Sequence, residues 1–166
     1  MVVAIVDLEL TRVPGDRRLF TLAGVGTLRL TGIASRTAVA TAAGATWDLA
    51  RPRFWSQDVN ATDEAGTIVG SFRPRALRRG GTVVWADREL VLRPASAWRE
   101  RYALAAGETE FAIYEGKGWG ARPVRIQVGD SAIEPGLLLF TAFVVRGLAE
   151  DASGAAGAAA GAAVTG

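Results

Sequence analysis

The chain predicts a mainly β protein, a sheet of eleven or twelve short strands closed around one buried C-terminal helix. Three observations predict it. Apolar and polar residues alternate with period two in short stretches before Glu134, as in strands with one buried face. Turn signals separate these stretches at the spacing of an all-β barrel or sandwich. Finally, Gly136 to Val145 reads GLLLFTAFVV; as a helix it is apolar on every face and has to be surrounded.

The clearest strands come in four places. Val6, Leu8 and Leu10 alternate with Asp7, Glu9 and Thr11, and Leu28 and Leu30 with Thr27, Arg29 and Thr31. Ile68, Gly70 and Phe72 share a face opposite Thr67, Ser71 and Arg73. Val124, Ile126 and Val128 alternate with Pro123, Arg125 and Gln127. Weaker candidates are Arg18–Ala23, Thr37–Ala42, Thr46–Ala50, Thr82–Ala86, Glu89–Arg93, Arg101–Ala105 and Glu108–Tyr114. Pro14-Gly15-Asp16, Gly44, Ala65-Gly66, Gly80-Gly81, Ala106-Gly107, Gly116 to Gly120 and Gly129-Asp130 mark the turns. Tryptophans at 47, 55, 85, 98 and 119 are spread as core or rim residues of a barrel would be.

Pro135 suits a first helical turn and Glu134 suits the positive end of the helix dipole. Together they start a helix over 135–148. A buried central strand would also suit the β-branched and aromatic residues, but the length of the run and Pro135 favour helix. From residue 150 to Gly166 the sequence is an Ala/Gly tract with no large apolar residue except Val164. It buries too little to offset ordering entropy and reads as a flexible tail. An Ala-rich helix weakened by Gly154, Gly157 and Gly161 is the alternative.

A chain of 166 residues fits one domain with a full core. It holds no cysteine and no histidine, which excludes disulfides, cysteine nucleophiles, the Ser-His-Asp triad and Cys/His zinc sites. No cofactor is expected. The net charge of +2 is carried almost wholly by arginine, Lys117 being the sole lysine. That permits contact with phosphates without the strong footprint of a nucleic-acid-binding domain. The N-terminus has no basic region, and Asp7 and Glu9 interrupt its apolar run, so no signal peptide is read. The 136–145 run falls well short of the ~20 residues of a spanning helix. The expected location is cytoplasmic, with peripheral membrane contact, and the expected state is a monomer.

The densest basic cluster is Arg73, Arg75, Arg78 and Arg79 in FRPRALRRGG. Its proline and glycines make it a loop on which several guanidinium groups could converge on one anion, with paired donors suited to phosphate. The bland alternative is a solvated loop whose charges pair with nearby acids. Arg51 and Arg53 beside Phe54 and Trp55 suit a membrane interface, or else a tryptophan packed under a loop. Asp58, Asp63 and Glu64, read as one loop, are the candidates for carboxylate catalysis, which needs two carboxyls facing across a cleft. Gly24-Val25-Gly26 and Gly116 to Gly120 do not join a strand to a helix as phosphate loops do.

The order of elements resembles the tubby C-terminal-like superfamily, which includes the LURP-one-related proteins and the phospholipid scramblases. The residues that carry it are Ala65 to Gly70, Gly80 to Trp85, Glu89 to Arg93, Arg101 to Leu104, Val124 to Val128 and Pro135 to Val145. The resemblance covers roughly residues 1–149, with the helix at 135–148 and residues 150–166 left as the tail. It implies a closed barrel of about twelve strands around a hydrophobic C-terminal helix, and a non-enzymatic domain that binds phosphoinositides or acts at phospholipid membranes. The family's lysine–arginine pair for phosphoinositides has no clear counterpart, since Lys117 stands alone. The calcium segment is also missing between Asp130 and Glu134. The anion-binding residues expected are therefore Arg73, Arg75, Arg78 and Arg79. A protein-interaction scaffold is the runner-up, and a carboxylate enzyme the third reading.

Overall fold

A computed structural model describes residues 5–32, 36–52, 57–76, 79–97, 100–116, 124–129 and 132–164. Twelve antiparallel strands pair in chain order and close into a barrel, the first bonding to both the second and the last. They are β1 (Val6–Arg12), β2 (Leu19–Leu22), β3 (Gly26–Leu30), β4 (Thr37–Ala42), β5 (Ala45–Ala50), β6 (Val59–Asp63), β7 (Ile68–Pro74), β8 (Gly81–Trp85), β9 (Arg88–Pro94), β10 (Arg101–Ala106), β11 (Thr109–Glu115) and β12 (Val124–Val128). One helix, α1 (Pro135–Val164), follows. Closure leaves no sheet edge to recruit other strands.

Alternation places one face of each strand inside. Leu28 and Leu30, Val124 and Ile126, and Phe72 are buried as their patterns require. Two faces depart from the sequence pattern at the barrel rim. Ile68 is 60% exposed and Val6 50% exposed, because both begin their strands beyond the reach of the helix. A register shift between Ala61 and Thr62 on the neighbouring strand also breaks the phase at Ile68.

The strand β6 corrects the expectation of a loop carrying Asp58, Asp63 and Glu64. Only Val59 and Ala61 of β6 point inward, both fully buried. One of the two is an alanine, so the apolar alternation is faint in sequence. Structurally the small residue is required: Ala61 lies opposite Gly70, and the Trp85 ring fills the space above that glycine.

Up-and-down winding sends alternate connectors to opposite ends of the barrel. The near end is where α1 begins and the far end is where it leaves. From Leu137 to Val145 the helix is buried throughout, Phe140 and Val145 completely. The helix lies nearest β3 and β4, where Ala38, Ala40 and Ala42 face inward and leave room for its backbone. At the near end Glu134 precedes the first turn, its carbonyl accepting the Leu138 N–H at 3.0 Å. Its carboxylate accepts the Trp85 indole N–H at 2.8 Å. Trp47 and Trp85 meet at 5.7 Å and press on Gly136, where a Cβ would come within 2.8 Å of either ring. Trp85 is core and Trp47 half-buried; Trp55, Trp98 and Trp119 lie outside the described residues.

The helix does not stop at Leu148. It continues to Val164, the Ala-rich alternative to a flexible tail. Once the buried turns have nucleated it, each further residue adds a backbone hydrogen bond without new nucleation cost. Where it emerges, Asp151 pairs with Arg51 at 3.3 Å and accepts from Gln57 at 3.2 Å. Arg146 pairs with Glu150 at 3.0 Å and lies over the Phe20 ring. Removing residues 152–166 should therefore spare both contacts. Calorimetry should show a thermal midpoint within about 2 °C of the parent, less than the shift a loss of ~1 kcal/mol causes at this size. A larger fall would mean that the extension is packed.

Inside the barrel, the buried hydroxyls of Tyr114 and Thr141 have no hydrogen-bond partner among the described residues. Burial pushes the Tyr114 phenol far above its ordinary value, and Thr141 draws it partly back. The two hydroxyls are thus neighbours, but outside bonding geometry. Both stay uncharged at physiological pH.

Candidate anion-binding site

The β7–β8 connector at the far end carries most of the arginine cluster expected from the sequence. The Arg75 N–H donates to the Gly80 carbonyl at 3.1 Å and closes the hairpin. Gly80 has φ +87°, and its α-carbon lies against the Leu92 carbonyl of β9. This close approach seats the hairpin on β9 and opens a cleft of about 600 Å³ toward the β9–β10 connector. Arg75, Arg79, Arg93, Pro94, Ser96 and Ala97 line it.

The three arginines in the cleft differ in freedom. Arg79 is a clamp. Its guanidinium pairs with Glu100 and reaches the Ser96 and Ala97 carbonyls at 3.5 and 3.4 Å. It also lies over the Tyr102 ring at 5.6 Å. The bond to Glu100 raises its pKa above the ordinary value against the opposing effect of burial. Tyr102 in turn donates to Glu100 at 2.8 Å, and burial followed by that bond pushes its phenol up to about 12. Arg79, Glu100 and Tyr102 thus fix the two connectors to each other, with one permanent positive charge at the cleft wall.

Arg75 is exposed and forms no ion pair among the described residues. Arg93 is exposed and pairs with Glu110 at 3.5 Å, both side chains wet. Exposed pairs of this kind contribute ~0–1 kcal/mol, so Arg93 can turn to a stronger anion. Arg73 does not join them. It lines a separate hollow of about 500 Å³ with Pro52, Asp58 and Asn60. Arg78 lies outside the described residues.

The sequence reading missed Arg93, which strand pairing delivers from β9. Its one sequence signal is outward phase at a strand end beside a Gly-Gly hairpin. The arrangement offers one fixed and two adjustable guanidinium groups on a concave surface, suited to a phosphate with several oxygens.

The other candidates divide differently. Asp58 and Asp63 sit at opposite ends of β6, about 16 Å apart at ~3.3 Å per residue, and so do not face each other across a cleft. Asp63 is engaged in its turn, accepting from Ala65 and Thr67 N–H at 3.0 and 2.8 Å. Arg51 is taken up by Asp151, and 53–56 lie outside the described residues. Among the described residues no group of three acids is placed to hold a metal ion. Compared with known proteins, the chain matches no protein family, no curated protein and no solved structure.

Proposed function

We propose that this chain is a non-enzymatic binding domain of the tubby-like kind, which takes anionic phospholipid headgroups in the cleft between Arg75, Arg79 and Arg93. The observation that carries the reading is the cleft itself. Arg79, held by Glu100, stands beside two exposed cations, Arg93 with a wet partner and Arg75 with no ion pair among the described residues. The tubby-like part rests on the order of elements, with twelve strands wound around a C-terminal helix. On this reading the protein works as a monomer at the cytoplasmic face of a membrane and needs no cofactor.

Sedimentation with anionic and neutral vesicles tests it. The parent should sediment with the anionic ones only, less at high salt. Arg75→Ala with Arg93→Ala should weaken binding about thirty-fold, since each basic residue near an anionic surface contributes about 1 kcal/mol. Arg79→Ala is a poorer probe because it also releases Glu100 and Tyr102. A parent that ignores anionic vesicles overturns the proposal.

A further inference from the structure

Charge is divided between the two ends of the barrel. At the near end the described connector residues include Glu64, Asp87, Glu108 and Glu134 and no cation. At the far end they include Arg17, Arg18, Arg36, Arg51, Arg75 and Arg79 against Asp16, Asp58 and Glu100, and α1 brings Glu150 and Asp151 to this end, paired with Arg146 and Arg51. Asp16 pairs with Arg29 and Glu100 with Arg79. Arg73 and Arg93 add exposed charge at strand ends beside this rim, where the near rim has Arg88 at the start of β9. The far end as a whole is cationic.

The cations also surround the opening. Arg17 and Arg18 belong to the β1–β2 connector and Arg73 and Arg75 to the β7–β8 hairpin. Six strands of a twelve-strand circuit separate them, so they lie across the barrel from each other. At ~4.8 Å between strands and a usual tilt, the barrel is about 24 Å wide. A small ligand cannot touch both sides, but a planar array of anions can. The side wall is different. On β1 and β12 Glu9 is paired with Arg125, and the Asp7 carboxylate accepts from the Gln127 amide.

The helix selects among planar or extended anions. Beyond Ala149, the last buried one among the described residues, α1 runs fifteen residues to Val164, or about 22 Å at 1.5 Å per residue. From Ala152 to Val164 this stretch contains only Ala, Gly, Val and Ser153. It leaves through the cationic end. Past Glu150 and Asp151, which are paired with Arg146 and Arg51, an uncharged helix end leaving there would hold a rigid duplex or folded protein away from the arginines. A fluid leaflet can admit it. At this length it falls short of the ~30 Å hydrocarbon core, and no described helix is long and apolar enough to cross a membrane.

We infer that the barrel docks end-on against an anionic phospholipid leaflet, with the arginines around its far end contacting headgroups and the projecting part of α1 entering the headgroup layer. This rests on the lipid reading above and adds the docking surface and orientation.

The absence of cysteine makes single-site labelling straightforward. An environment-sensitive fluorophore is attached through Ala158→Cys on the projecting helix, or through Glu64→Cys at the near end. With vesicles of mixed phosphatidylserine and phosphatidylcholine, the fluorophore at position 158 should shift to the blue and lose quenching by aqueous acrylamide. That at position 64 should not change. Arg17→Ala with Arg18→Ala, remote from the cleft, should weaken vesicle binding about as much as the Arg75 and Arg93 pair, roughly thirty-fold. If only the cleft pair matters, or if the fluorophore at 64 responds instead, end-on docking is wrong while lipid binding stands. If duplex DNA displaces the protein from vesicles at matched phosphate, the leaflet is the wrong partner. If the parent does not bind vesicles at all, the lipid reading fails first and the orientation with it.

Discussion

Phe140→Ala should lower the free energy of unfolding by about 3–5 kcal/mol, the usual cost of deleting an enclosed phenylalanine. Phe140 has no solvent exposure and its ring lies 5.5 Å from that of Trp85. The wall cannot collapse into the gap, because strand pairing around the closed barrel fixes its circumference. Trp85 is also tied to Glu134 at the start of the helix, so the cavity would open between two anchored elements. Phe143→Ala, 3% exposed and three residues further along, should cost a similar amount. A domain's whole stability is ~5–15 kcal/mol, so either variant should show a large fall in its urea midpoint with an unchanged slope. A near-neutral result at either site would mean that the helix is covered on one side only.

Those phenylalanines were legible because nothing in GLLLFTAFVV provides a polar face. Most strands were legible for the related reason that a barrel has one dry side, which stamps period two on each strand. The pattern fails where the dry side is made of small residues. In β6 the inward pair is Val59 and Ala61, and the close packing of Ala61 with Gly70 and Trp85 belongs to three strands at once. The end of α1 was illegible for another reason. Burial predicts where a helix is held, whereas the stretch from Ala152 to Val164 continues from turns already formed.

The candidate site was partly legible. Proximity in sequence grouped Arg73, Arg75 and Arg79, yet Arg73 lines one hollow and Arg75 with Arg79 another. The acids that decide their freedom, Glu100 for Arg79 and Glu110 for Arg93, come from other strands and connectors. Sequence showed where positive charge is dense. Which cations are free, and that Arg93 joins them, depends on pairing across the sheet. The division of charge between the two ends likewise appears only once alternate connectors are assigned to opposite ends.

Gly80→Ala should be the most damaging of the small changes near this site, at about 2–5 kcal/mol. Two costs add. At φ +87° a Cβ suffers the ~1–2 kcal/mol penalty of the left-handed region. It would also run into the Leu92 carbonyl oxygen, and forced overpacking costs ~1–3 kcal/mol. The obstacle is backbone within a paired strand, so no side-chain rotation relieves it. Gly66→Ala separates the two costs. Gly66 has φ +82° with open space where the Cβ would go, so it should lose only the conformational part, about 1–2 kcal/mol. The difference between the two variants in urea melts measures the contact of the β7–β8 hairpin with β9. That contact sets the spacing of Arg75 and Arg93 across the cleft. Gly80→Ala should therefore weaken binding to anionic vesicles even at temperatures where the variant remains folded, whereas Gly66→Ala, in a near-end turn, should leave binding unchanged. Equal destabilisation of the two would show that the hairpin does not press on β9, and the cleft would then lack the backbone support that fixes its width.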